Sequence, residues 1–249
     1  MSSLEIAPSW APPGPAELAA RRVLHLVGHV AARSLRGLVA SEAAGALERA
    51  RDLQQGLAQL VTLHGIQTSV EGALPDRPSI LVCNHLSYLD PVILGALVPC
   101  APIAKQELAG WPGLGPAARR HGVIFVRRGD PWSGARALLQ AARALREGAS
   151  VLAFPEGTTT RGDVVLRFRW GVFGLARRLG VPIAPVRLDF DDPALAWVGG
   201  QYFLPHYLRT AARPAFRARV RFLPPLHPEP HDEPRLLAAE TRQIISRAR

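Results

Sequence analysis

Short apolar runs alternate with helical stretches along most of the chain. "SILVCN" (79–84), "GVIFVR" (122–127), "SVLAFP" (150–155) and "PIAPVRLDF" (182–190) have strand length and are rich in branched and aromatic residues. Between them, residues 91–98, 133–147 and 171–179 read as helices. This alternation predicts βαβ units and an α/β fold, a mostly parallel sheet flanked by helices. "AFRARVRF" (215–222) alternates strictly, with Arg217, Arg219 and Arg221 on one face. That pattern predicts a half-exposed strand at a sheet edge, where charge discourages pairing with other chains. The proline-rich stretch 224–234 leads into a last helix.

The N-terminal part has a different rhythm. Residues 1–15 are rich in proline and read as a disordered tail. Beyond them, Leu24, Val27, Ala31, Leu35 and Leu38 recur at three- and four-residue steps. Arg22, Arg33 and Arg36, with His25 and His29, fall on the opposite side. A second helix, about Glu42 to Leu63, carries Leu47, Leu53, Leu57 and Leu60. The two predict an amphipathic helical hairpin over 16–66, ahead of one domain over 67–249. Such a basic helix suits two roles. It can lie in the headgroup region of an anionic membrane surface, or it can cover the domain's own core.

Charge narrows the partners without choosing one. The chain has 249 residues, a formal net charge of +10 and a pI near 11.1. Polyanions are therefore attracted: nucleic acid, anionic lipid or phosphorylated substrates. No helix-turn-helix or RNP-like pattern supports nucleic acid. No apolar run approaches the ~18 residues of a membrane span, and the N-terminus lacks a signal-peptide layout. Peripheral, monotopic contact from the cytoplasmic face of a membrane is the expectation. Cys83 and Cys100 form no C-x-x-C pair and lie among apolar residues, so they read as reduced and buried. Lys105 is the only lysine among 30 basic residues, and a compact ammonium there is a candidate site group.

The candidate chemistry lies where strands end, since open α/β sheets bind ligands beyond the carboxyl ends of their strands. In "LVCNHLSYLDP" (81–91), an apolar strand runs into His85, and Asp90-Pro91 has the form of a helix start, with Asp90 as N-cap. The intervening turn can bring the two side chains together, so that a carboxylate fixes the tautomer and the other ring nitrogen accepts a proton. A cap plus an unrelated loop histidine fits the same spacing. In "FPEGTTTRGD" (154–163), Glu156, Gly157, three threonines and Arg161 follow another strand. Gly157 permits close backbone approach to a ligand; a plain turn also fits.

Four blocks in order carry a resemblance. They are Asn84-His85 with Asp90, "GVIFVRR" (122–128), "FPEGT" (154–158) and "VPIAPV" (181–186). Over about residues 70–190 the chain resembles the glycerolipid acyltransferase family, which includes 1-acyl-glycerol-3-phosphate acyltransferase. The resemblance implies transfer of an acyl group from acyl-CoA or acyl carrier protein to a lysophospholipid hydroxyl. It implies His85 as general base and Asp90 as its orienter. It also implies Lys105, Arg128, Glu156, Gly157, Thr158 and Arg161 as substrate-binding residues. The family commonly has arginine where Thr159 stands, so Arg161 is a candidate replacement. "EGTT", with "ALAWVGGQYFLPH" downstream, is similar to the branch with lyso-ornithine-lipid acyltransferases. A lyso-ornithine or other amino-lipid acceptor is one alternative; a non-catalytic lipid-surface binding protein is another. No G-x-S-x-G is present, and Cys83 reads as core rather than nucleophile. His25/His29 and "HPEPH" (227–231) lack a third metal ligand, and "GWPGLG" (110–115) lacks the context of a phosphate loop. Neither a metal nor a cofactor is expected.

Overall fold

The computed structural model describes residues 13–39 and 45–248. Residues 1–12 of the tail, residues 40–44 and the side chains of Arg33, Leu35, Arg36 and Leu38 lie outside the described residues, and Pro15 already begins α1. In chain order the elements are α1 (Pro15–Val39), α2 (Ala46–Leu63), β1 (Ile66–Glu71), β2 (Ile80–Cys83), α3 (Asp90–Leu97) and β3 (Cys100–Lys105). They continue with α4 (Leu114–Arg120), β4 (Ile124–Val126), α5 (Pro131–Arg146), β5 (Ser150–Ala153), α6 (Gly171–Leu179) and β6 (Ile183–Phe190). The last are α7 (Phe203–Ala211), β7 (Phe216–Phe222) and α8 (Pro234–Arg247).

Seven strands form one sheet in the order β1-β7-β6-β2-β5-β3-β4. Every neighbouring pair is parallel except β6 with β7, so β1 and β7 run against the other five. The central strands β2 and β5 are buried on both faces, which explains why they read as unbroken apolar runs. In β2, Ile80 and Val82 face one core with Val151, Phe173, Ile183 and Ile245. Leu81 and Cys83 face the other with Ile93, Leu94, Leu152 and Leu188. Truncating Leu94 or Phe173, both fully buried, costs about 2–5 kcal/mol.

Three expectations change. First, β7 is not an edge strand: it lies between β1 and β6, paired over five to six residues on each side. Two of its arginines are matched by acids on the neighbours, and Arg217 donates to Gln67 Oε1 at 3.3 Å. Arg221 pairs with Asp189 at 2.6 Å, and Arg219 with Glu71 at 3.4 Å. Second, α1 and α2 touch, yet α1 packs more closely on α7 and α4, and α2 on α3 and β3. The hairpin is therefore built into the domain. Third, α1 is turned about its axis relative to the expected arrangement. Arg22 is only 5% exposed, while Leu24 and Val27 are 70% and 60% exposed. Arg22 donates to the carbonyls of Leu63, Ala211, Arg213 and Pro214, which gather at the ends of α2 and α7. Orphan carbonyls at helix C-termini carry partial negative charge, and a guanidinium has enough donors to satisfy several at once.

Candidate active site

The carboxyl end of β2 is held before any chemistry begins. Asn84 is buried, and its amide behaves like one more residue of the sheet. Its Nδ2 donates to the Leu188 carbonyl at 2.8 Å, and its Oδ1 accepts from the Leu188 N–H at 2.9 Å. The chain then turns, and His85 is fixed from four sides. Its N–H donates to Glu156 Oε1 at 2.8 Å, and its carbonyl accepts from the Thr160 N–H at 2.8 Å. Its ring stacks on Phe154 at 4.2 Å between centroids, and its Nδ1 meets Asp90 Oδ2 at 2.7 Å.

Asp90 does more, and something other, than cap a helix. Leu89 occupies the cap position of α3. The Asp90 carboxylate turns back toward the preceding turn, where Oδ2 accepts from the N–H groups of Leu86 (2.6 Å) and Ser87 (2.9 Å) as well as from His85. The expected N-cap role is thus corrected: three donors converge on one oxygen behind the helix, and none comes from ahead. A carboxylate holding two backbone N–H groups cannot donate, so His85 Nδ1 carries the proton of the shared bond. Nε2 is left with its lone pair. The Asp90 side chain is fully buried, whereas 15% of the His85 side chain is exposed. The pair therefore joins an imidazole with a free lone pair to a carboxylate that is sealed from water.

Glu156 is buried and uses both oxygens on backbone. Oε1 takes the His85 N–H, and Oε2 takes the Leu166 N–H at 2.8 Å. Burial raises its pKa, and the two backbone hydrogen bonds oppose the rise. Both of its oxygens are thus taken by backbone donors, one of them the N–H of His85. Gly157 has φ 72°, the left-handed conformation glycine adopts freely. It also makes room: a Cβ there would stand 3.1 Å from Arg169 Nε. Thr158 is exposed beside it.

The remaining predicted residues spread along the same edge. Lys105 ends β3 and is exposed; Arg128 follows β4. By strand order they stand two and three strands from β2, at about 5 Å per strand. Arg161 is exposed and, with Leu86, Asp189 and Phe190, lines a small cavity of about 90 Å³. Arg169 is the residue that sequence reasoning missed. Its N–H donates to the Pro155 carbonyl at 3.0 Å, and its guanidinium lies against Gly157. Burial lowers the pKa of Arg128, and the like charge of Arg169 lowers it further. The signal was available in "LRFRW" (166–170), which places an arginine just before a helix and after the glycine turn.

Thr159 donates its hydroxyl to the Trp197 carbonyl. The segment around Trp197 therefore joins the site, and its N–H also donates to the Leu86 carbonyl at 2.9 Å. Tyr88, in the His85 turn, packs among Trp197, Phe203 and Tyr207 and hydrogen-bonds His206 at 3.1 Å. Burial pushes its hydroxyl up to about 12. Cys83 is fully buried, and burial, then the nearby Asp90, push its thiol well up. That is the wrong direction for a nucleophile.

The Acyltransferase family matches residues 61–189. A lyso-ornithine lipid O-acyltransferase of Pseudomonas aeruginosa is 31% identical over 196 residues, 76% of this chain and 74% of the relative. The 1-acyl-sn-glycerol-3-phosphate acyltransferase alpha of Ovis aries is 32% identical over 201 residues, 76% of this chain and 66% of the relative. The crystal structure of a 1-acyl-sn-glycerophosphate acyltransferase from Thermotoga maritima covers 92% of each chain with a TM-score of 0.69 at 21% identity, a likeness of fold. The turn that binds His85 to Asp90 and the Glu156 loop that steadies it both lie inside the matched span, and this chain belongs to the acyltransferase family of enzymes.

Proposed function

We propose that the protein moves a fatty acyl group from a thioester to the free hydroxyl of a lysolipid. The observation that carries this is the 2.7 Å contact of His85 Nδ1 with a buried carboxylate, at the carboxyl end of a central strand. His85 Nε2 takes the acceptor's hydroxyl proton as the oxygen attacks the thioester carbonyl. Asp90 stabilises the resulting imidazolium. When the tetrahedral intermediate collapses, the C–S bond breaks, and the imidazolium returns the proton to the departing thiolate. The acceptor's own oxygen is the nucleophile, so no protein acyl intermediate forms.

The acceptor's head group is anionic in this reading. Arg169 beside Gly157, with Arg128, supplies a pair of guanidiniums near the Glu156 turn, and neither is ion-paired to a carboxylate among the described residues. Lys105 lies on the same edge. A phosphate, as in 1-acyl-glycerol-3-phosphate, fits this pair, and so does a carboxylate. The second reading, a lyso-ornithine acceptor, is favoured by Thr159: its hydroxyl is bound to the Trp197 carbonyl where many relatives of the first kind would carry arginine. The exposed Leu24 and Val27 of α1, with Tyr202 and with Leu204 and Leu208 of α7, support docking on a lipid surface beside the site.

The test is an acceptor panel. Wild type and Arg169→Ala would be assayed with lysophosphatidic acid, lyso-ornithine lipid and an uncharged monoacylglycerol. The variant should raise KM about tenfold for the preferred anionic acceptor and leave the uncharged one unchanged. An equal loss on all three acceptors would contradict the role given to Arg169.

A further inference from the structure

A cavity of about 670 Å³ lies along β4, away from His85. Its volume falls within the roughly 300–1,000 Å³ of small-molecule sites. Nothing in the chemistry above uses it. β4 is the last strand of the sheet, so the cavity follows a free edge, walled by α2 on one side and α5 on the other. Five arginines line it: Arg49, Arg119, Arg127, Arg136 and Arg143. Their acidic neighbours are largely engaged. Glu147 bonds Arg143 at 2.6 Å and stands 3.9 Å from Arg49, and Asp130 caps α5 by accepting from the Trp132 and Ser133 N–H groups. Arg119, Arg127 and Arg136 pair with no carboxylate of the described residues. Arg119 instead lies over the Phe125 ring at 5.2 Å, a flat pairing that offers a face to a planar base.

A concave wall with that much unneutralised positive charge selects a small ligand of dense negative charge. Its position says which one. Gln106, at the cavity's end nearest the active edge, directly follows Lys105, and Arg127 directly precedes Arg128. From β4 to β2 is three strand spacings, about 14 Å. A pantetheine arm is about as long as four extended residues, roughly 14 Å. We propose that this cavity binds the phosphorylated adenosine end of an acyl-coenzyme A donor, with the pantetheine arm passing Lys105 to present the thioester at His85. The inference rests on the acyl-transfer reading and selects between its two donors. A carrier protein would offer a broad surface, whereas coenzyme A offers a compact polyphosphate that fits a cavity of this size.

The test measures binding and turnover separately. Coenzyme A and adenosine 3′,5′-bisphosphate would be titrated calorimetrically into wild type, Arg136→Gln, Arg127→Gln/Arg136→Gln and His85→Ala. The arginine variants should weaken both ligands by about tenfold or more, and raise KM for palmitoyl-CoA to match. kcat and the acceptor's KM should hold. Arg136 is exposed on α5, so its variant folds, which a thermal melt checks. His85→Ala should bind coenzyme A as wild type does while losing transfer, which keeps failure of the cavity apart from failure of the base. Unchanged affinity and unchanged KM in the arginine variants would overturn the inference. So would a wild type that uses acyl carrier protein and does not bind coenzyme A; the acyl-transfer reading would then stand without it.

Discussion

At the scale of single residues, the site is held by side-chain acceptors set against backbone donors, though Asp90 Oδ1 and Ser87 Oγ are buried with no hydrogen-bond partner among the described residues. Glu156 has a backbone N–H in front of each oxygen. Glu156→Gln would point an amide NH₂ at one of those N–H groups. We expect stability to fall by about 1–3 kcal/mol, and kcat to drop while both KM values hold, because both oxygens are taken by backbone, one of them at His85. A change in acceptor KM alone would argue instead for direct binding. Asp90→Asn can turn its amide oxygen to the same three donors, with its NH₂ where Oδ1 now stands unpartnered, but it leaves the imidazolium without a countercharge; a loss of about 100- to 10,000-fold in kcat is expected. Cys83→Ala should keep activity, at a modest cost in melting temperature. Thr159→Arg gives up the bond to Trp197 and adds a cation; a gain on phosphate-bearing acceptors relative to amino lipids would show that this position sets specificity. Much of this was legible in the sequence. The spacing of His85, Asp90 and Pro91 announced a strand end, a turn and a helix start. It did not reveal that the carboxylate faces backwards, because a cap and an orienter use the same residue at the same spacing. Arg169 escaped notice because its closeness to Gly157 depends on the path of the loop between them.

At the scale of elements, the strands rich in Ile, Val and Leu and the strictly alternating β7 were read as strands, whereas β1 and β3 were not. β3 is "CAPIAK", with a proline in mid-strand. It survives because β3 changes partners there, pairing β5 through Pro102 and β4 from Ile103 onward. No local pattern encodes that switch. β1, "IQTSVE", has one buried residue and takes its place through β7, far away in sequence. α7 was hidden at the end of a segment noted only for its similarity to the lyso-ornithine-lipid branch. Its packing against α1 explains the turned face of that helix: Ala19 packs with Tyr207 and Ala211, joined by the partly buried Val23 and Leu26, and Leu24 and Val27 are left outside. That outward face makes a prediction. Leu24→Asp with Val27→Asp should weaken sedimentation with anionic vesicles by about tenfold or more, with no change in melting temperature. A drop in melting temperature without loss of vesicle binding would mean that the face packs on protein.

At the scale of the whole molecule, charge and titration set the working conditions. The net charge of +10 makes binding to anionic vesicles sensitive to salt. No helix among the described residues is long and apolar enough to cross a membrane. Two histidines tie the amphipathic helices to the domain. Burial lowers the pKa of His64, which bonds Tyr207, and burial likewise lowers that of His206, which bonds Tyr88. Their folded-state pKa values lie below the ordinary 6.5. As pH falls through that value, the unfolded chain takes up protons that the folded one resists, so stability is lost on acidification. The melting temperature should fall between about pH 8 and pH 5.5, less steeply in His64→Gln; a flat profile would contradict the assignment. The central claim, that His85 oriented by Asp90 activates the acceptor hydroxyl directly, is tested most directly by single-turnover transfer of a labelled acyl thioester to a lysolipid, with wild type beside His85→Ala. The account predicts labelled diacyl product from wild type, none from the variant, and no label held covalently by either protein. Product from His85→Ala, or label fixed on the wild-type chain, would contradict it.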